Sequence, residues 1–118
     1  MLKRICNCNW KITSDRTLVI SPVKGTDGKI KMPKNLKWPW KGTDIKSVQI
    51  KNGVTTGNSL MDIFDGCDSL TDISSLADLD VSDVQDMSYM FRGCRSLKDV
   101  SALAGWNVSE VAAAVTST

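Results

Sequence analysis

Phe64-Asp65-Gly66-Cys67-Asp68-Ser69-Leu70-Thr71-Asp72-Ile73-Ser74-Ser75-Leu76-Ala77-Asp78-Leu79-Asp80-Val81-Ser82-Asp83-Val84-Gln85 is followed, 27 residues on, by Phe91-Arg92-Gly93-Cys94-Arg95-Ser96-Leu97-Lys98-Asp99-Val100-Ser101-Ala102-Leu103-Ala104-Gly105-Trp106-Asn107-Val108-Ser109-Glu110-Val111-Ala112. Twelve of the 22 aligned positions are identical, and Ile73/Val100 and Asp83/Glu110 are conservative pairs. Self-similarity at a fixed spacing marks a repeat architecture. Each copy carries an apolar ladder, Leu70-x-x-Ile73-x-x-Leu76 and Leu97-x-x-Val100-x-x-Leu103, which suits a short strand and the turn after it. Met87, Met90 and Phe91 fall at helical spacing behind Asp86 and Ser88, both good N-caps, so a short helical turn is expected there. Gly66 and Gly93 follow that turn, where a positive φ favours glycine.

Outward from the repeats, Ile45-Lys46-Ser47-Val48-Gln49-Ile50 alternates cleanly before an Asn52-Gly53 turn and reads as the first strand of the repeat region. Residues 21–44 hold Pro22, Pro33 and Pro39 and read as loop. Trp10-Lys11-Ile12 and Thr17-Leu18-Val19-Ile20 flank a turn-rich Thr13–Arg16 and predict a β-hairpin. At the other end, Ser109 is expected to cap a last short helix over Glu110–Val115. A single repeat cannot bury its own apolar face, whereas stacking on the next copy does so. The expected fold class is therefore an α+β repeat: a short leucine-rich-repeat-like solenoid of about two and a half coils, with an N-terminal β-hairpin cap. At 118 residues the chain is one domain, divided as residues 1–44 (β cap and Pro/Gly/Trp loop), 45–111 (repeats) and 112–118 (C-terminal cap or tail).

The residue inventory removes whole classes of chemistry. There is no histidine, which excludes Ser-His-Asp and Cys-His catalysis and His-ligated zinc or haem. Cys67 and Cys94 occupy equivalent repeat positions and read as buried free thiols. Cys6 and Cys8 read as a reactive N-terminal tail, and a four-thiolate zinc site would need Cys67 and Cys94 to leave the core and face that tail. Asp78, Asp80, Asp83 and Asp86 lack the Gly and Glu of a calcium loop, and Asp80, Asp83 and Asp86 suit turns and caps that bond nearby backbone N–H groups. No Gly-rich phosphate loop is present. Neither a cofactor nor a metal nor a catalytic residue is expected. No apolar run reaches the ~18–20 residues of a membrane helix, and Met1–Cys6 lacks the apolar core of a signal peptide. Charge is polarised: residues 1–60 hold 12 Lys/Arg against 3 Asp (+9), and residues 61–118 hold 3 against 10 (−7). That polarity favours head-to-tail self-association. The lysines are scattered singly, which suits a solvated face better than a nucleic-acid site.

The segment Asp80-Val81-Ser82-Asp83-Val84-Gln85-Asp86-Met87-Ser88-Tyr89-Met90-Phe91-Arg92-Gly93-Cys94-Arg95-Ser96-Leu97 resembles the DxSxVxDMSxMFxGCxSL repeat of BspA-like leucine-rich-repeat proteins of bacterial surfaces. Trp10-Lys11-Ile12 with Arg16–Ile20, and Pro39-Trp40 with Ile45–Val54, are similar to that family's upstream segments, so the likeness covers about residues 6–111. The resemblance implies a non-enzymatic adhesion module, on the cell surface or secreted, whose partner is an extracellular-matrix or host-surface protein. The lack of a signal peptide leaves a cytoplasmic location open. Two alternatives stay open as well: a structural spacer of a longer repeat protein, and nucleic-acid binding by the basic half.

If apolar positions point inward, a partner meets the side chains between them. The expected protein-binding row is Gln49 and Lys51, then Thr71 and Asp72, then Lys98 and Asp99. Trp38 is expected to be partly exposed and to serve as its aromatic anchor, while Trp40 plugs the side of the fold.

Overall fold

The computed structural model describes residues 3–107. Six strands are formed among the described residues: β1 (Lys3–Ile5), β2 (Cys8–Ile12), β3 (Thr17–Pro22), β4 (Lys29–Ile30), β5 (Ser47–Ile50) and β6 (Thr55–Thr56). The alternation of Cys8, Trp10, Leu18 and Ile20 gives the hairpin one apolar face, and all four side chains are buried. β2 and β3 pair antiparallel as the sequence indicates, with Trp10 opposite Ile20 and Ile12 opposite Leu18. β5 lies parallel to β3, Val48 opposite Leu18, and completes a sheet of order β1-β2-β3-β5. β4 and β6 make a separate two-stranded parallel sheet.

The expected α+β solenoid does not form. Among the described residues there is no α-helix, only two 3-10 turns, Ser74–Asp78 and Ser101–Leu103, each containing a buried Leu, Leu76 or Leu103. No helix among these residues is long and apolar enough to cross a membrane. Where a helical turn was expected at Met87–Phe91, the chain makes successive tight turns closed by Met90 N–H to Met87 O (3.2 Å), Arg92 N–H to Tyr89 O (3.1 Å) and Cys94 N–H to Phe91 O (3.0 Å). The backbone reason is Tyr89, at φ 58, matched in the first copy by Asp62 at φ 64. A left-handed residue breaks the run of αR dihedrals that a helix requires.

The strands expected at Leu70–Ile73 and Leu97–Val100 also fail. Ile73 (φ −114, ψ 20) and Val100 (φ −111, ψ 19) leave the extended region, and one isolated bridge, Ser47 to Asp72, is all the pairing present there. The molecule is a compact globule built mostly on small β-sheets, 36 × 31 × 27 Å, with a radius of gyration of 13.0 Å. A single domain of about 100 residues has that radius. The expected helix over Glu110–Val115 and the 112–118 cap lie outside the described residues.

Within this globule the two sequence copies face each other. The rings of Phe64 and Phe91 stack with centroids 5.7 Å apart and planes at 15°. The amides of Leu60, Asp62, Phe64 and Gly66 donate to the carbonyls of Asp86, Ser88, Met90 and Arg92 at 2.9, 3.1, 3.0 and 2.7 Å. On the opposite side, the indole N–H groups of Trp38 and Trp40 donate to the carbonyls of Met61 and Ile63, both at 2.7 Å. Gly66 and Gly93, each at φ +77, allow this approach: a Cβ on Gly66 would meet the Gly42 Cα at 3.2 Å, and one on Gly93 the Gly66 Cα at 3.3 Å.

Beside the glycines, Asp65 is buried and receives Arg92 in a two-pronged contact, Nε to Oδ1 at 3.3 Å and Nη2 to Oδ2 at 3.2 Å, with Lys41 Nζ 3.4 Å from Oδ2. Burial pushes the Asp65 carboxyl up, but Arg92 and Lys41 outweigh it and hold the group below its ordinary value of 3.8. A carboxyl depressed in the folded state stabilises the fold above its unfolded pKa, and that contribution is lost as pH falls through the folded value. Asp65→Asn should therefore be less stable than the parent at neutral pH, and the gap should shrink below about pH 4. Urea midpoints measured across that range check this; a gap that does not change with pH would contradict it.

Candidate functional site

Two of the expected contact residues, Thr71 and Asp72, are held by the backbone of Lys46. The amides of Thr71 and Asp72 both donate to the Lys46 carbonyl, at 2.9 and 3.1 Å, and Val48 N–H returns a bond to the Asp72 carbonyl at 3.2 Å. In β5 the alternation places Val48 in the core and Gln49 in solvent. One turn of chain later, Asp72 Oδ1 accepts the Ser74 amide and Asp99 Oδ1 accepts the Ser101 amide, each at 2.9 Å. These local Asx turns set both carboxylates at the start of a 3-10 turn.

Thr71, Asp72, Ser74, Asp99 and Ser101 share a shallow hollow of about 200 Å³. The Ser74 bonds hold the Asp72 carboxyl below its ordinary value, against a smaller opposing effect of the Asp99 charge. Asp99 is lowered in the same way by Ser101. Both carboxylates are therefore charged at neutral pH: they accept hydrogen bonds and attract cations, and neither is tuned as a general acid.

The structure brings together only part of the expected row. Thr71, Asp72 and Asp99 meet at this hollow. Lys98 is exposed but does not line it, and Gln49 is exposed on β5. Lys51 lines a separate recess of about 70 Å³ with Ser75 and Asp78. Trp38 is the clear correction. It is 2% exposed, packed against Trp40 and tied to the Met61 carbonyl, so it anchors the core and not a partner. Ser74 and Ser101 were missed, although the recurring Asp-x-Ser spacing at Asp72, Asp80, Asp86 and Asp99 signals such turns.

The thiols form no site. All four cysteines are free, and no group of three or more Cys, Asp or Glu among the described residues is placed to hold a metal ion. Cys67 and Cys94 are buried, and the Cys94 thiol donates to the Phe64 carbonyl at 3.1 Å. Cys8 is not in a reactive tail: it sits in β2, fully buried, with its thiol 3.2 Å from the Gly28 carbonyl. Burial pushes Cys8 up to about 11 and Cys94 up to about 12, and raises Cys67 as well. Thiolate being the reactive form, Cys6 should alkylate first and the other three only when denaturant is added. Peptide mapping after a timed iodoacetamide pulse checks this; early labelling of Cys8 would contradict its place in β2.

Both copies of the repeat, together with the Lys46 and Thr71–Asp99 surface, fall inside residues 41–116, the segment that matches a family model described as "Mycoplasma protein of unknown function, DUF285". No curated protein and no solved structure matches the chain. The match extends over more than half of the sequence, and the chain belongs to the DUF285 family.

Proposed function

We propose that this protein is a non-enzymatic binding module of the bacterial surface type, which contacts an extracellular-matrix or host-surface protein through its exposed polar face. The observation that supports this is the placement of Thr71 and Asp72 on the Lys46 carbonyl, with Asp99 lining the same hollow, one too shallow to enclose a small molecule. Fixed, charged acceptors on an open face suit the rim of a protein contact. The resemblance to BspA-like proteins supplies the class of partner. The opposed charges of the two halves support head-to-tail self-association as a further mode.

The test is binding of the purified chain to immobilised matrix proteins. Asp72→Asn/Asp99→Asn and a charge-reversed Thr71→Glu/Lys98→Glu variant are measured alongside. Saturable binding that both variants weaken by about tenfold supports the reading, the size expected of a contact with several charge-assisted bonds. No binding above background, or variants that bind like the parent, would transfer the protein to the spacer reading. A steep loss with salt together with retention of single-stranded DNA would favour the basic half as a nucleic-acid site.

A further inference from the structure

On a different face, the fold gathers cations that the sequence scatters. Arg4 on β1 and Lys34 and Lys37, about 30 residues later in the chain, line one hollow of about 460 Å³ whose walls include Ile5, Pro33 and Trp38. No carboxylate is among the described residues lining it. None of the three cations forms an ion pair among the described residues: the pairs present are Arg16–Asp44, Lys41–Asp65 and Arg92–Asp65. Arg4 is instead oriented by the Cys6 carbonyl (2.9 Å) and Asn7 Oδ1 (3.4 Å). The nearby Asp27 is engaged by Asn7 Nδ2 at 2.8 Å and by the Lys29 amide at 3.0 Å.

A second observation points the same way. Between the lining residues Asn35 and Lys37, Leu36 is 65% exposed and held at φ 61. Its amide is fixed to the Pro33 carbonyl at 2.9 Å, and Asn35 Oδ1 takes the Lys37 amide at 3.1 Å. A large apolar side chain kept in solvent in a left-handed conformation costs stability, and such strain gathers where a ligand is met.

We propose that this hollow is a docking site for an acidic, partly apolar peptide segment of a partner protein, separate from the Thr71–Asp99 face. Its carboxylates meet Arg4, Lys34 and Lys37, and its apolar side chains meet Leu36 and the Ile5–Pro33 wall. Three cations unpaired among the described residues, beside apolar walls, suit a short segment that carries both carboxylates and apolar side chains. Trp38 in this wall is buried and offers no ring for a nucleic-acid base to stack on.

The test uses the full chain and a fluorescein-labelled peptide alternating Glu with Leu, read by anisotropy. Arg4→Gln/Lys34→Gln/Lys37→Gln is compared with Lys11→Gln/Lys24→Gln/Arg95→Gln, which removes the same charge at exposed positions outside both surfaces. The hollow variant should lose about tenfold or more in affinity and the control less than about threefold. Leu36→Asn should weaken the peptide by about threefold or more while melting no lower than the parent, because Asn tolerates the left-handed backbone better. Equal losses in the two triple variants, or no binding by the parent, would overturn the proposal. So would tighter binding of phosphatidylserine vesicles or of single-stranded DNA than of the peptide. Self-association that only the hollow variant abolishes, without peptide binding, would assign the hollow to the acidic half of a second copy and overturn it too. None of these readouts depends on the Asp72/Asp99 variants, so the two surfaces stand or fall separately.

Discussion

Phe91→Ala will destabilise the protein by about 3–5 kcal/mol, a large share of the roughly 5–15 kcal/mol that holds a small domain together. Phe91 is fully buried and its ring lies flat against Phe64. Truncation removes the transfer free energy of the ring and leaves a void that close-packed neighbours fill only in part. Those neighbours cannot easily move, because the segment that carries Phe64 is tied to the segment that carries Phe91 by four backbone hydrogen bonds. Urea unfolding should show the midpoint fall with its slope unchanged. A variant that melts like the parent would show that the two rings do not share a core.

Trp40→Ala will have a comparable effect, about 3–5 kcal/mol in all, of which the stranded Ile63 carbonyl accounts for about 1–3 kcal/mol. Trp40 is fully buried between Trp10, edge-on at 5.5 Å, and Trp38 at 5.7 Å, and its indole N–H donates to the Ile63 carbonyl. It joins the hairpin sheet to the first repeat copy, so its loss should loosen both. Trp40→Phe separates the contributions. It keeps most of the apolar area and loses the bond, and should cost about 1–3 kcal/mol. If Phe and Ala at this position unfold at the same urea concentration, the packing half of this explanation fails.

Strand elements governed by a two-residue period were legible in the sequence. The Trp10–Ile20 hairpin and β5 follow from alternation, because one buried sheet face imposes that pattern residue by residue. The repeat was legible as a recurrence of side chains but not as a backbone. Phe64 and Phe91 do stack, yet nothing in Leu60-Met61-Asp62 or Met87-Ser88-Tyr89 announces a left-handed residue, and those two dihedrals are what replace helix with turns. Trp38 was misplaced for a related reason. Its indole N–H supplies a donor to the Met61 carbonyl on the side of the stack opposite the second copy, a role visible only once the layers are assembled.

Part of the surface follows from the repeat positions themselves. Asp65 and Arg92 hold the same repeat position with opposite charges, so stacking alone brings them together. Asp72 and Asp99 also share a position, which is why both reach the shallow hollow. The convergence of Arg4 with Lys34 and Lys37 had no such signal, since it depends on how the residue 31–39 loop folds back on β1.

Central to the fold is the direct packing of the two repeat copies against each other, and a double-mutant cycle on Phe64 and Phe91 tests it most directly. Each phenylalanine is changed to Leu singly and together, a substitution mild enough to keep the fold, and stabilities are measured by urea unfolding. Stacked rings predict a coupling of about 0.5–1.5 kcal/mol between the two changes. Strictly additive effects, with coupling within about 0.3 kcal/mol of zero, would mean that the rings are not in contact and would contradict the arrangement of the repeat described above.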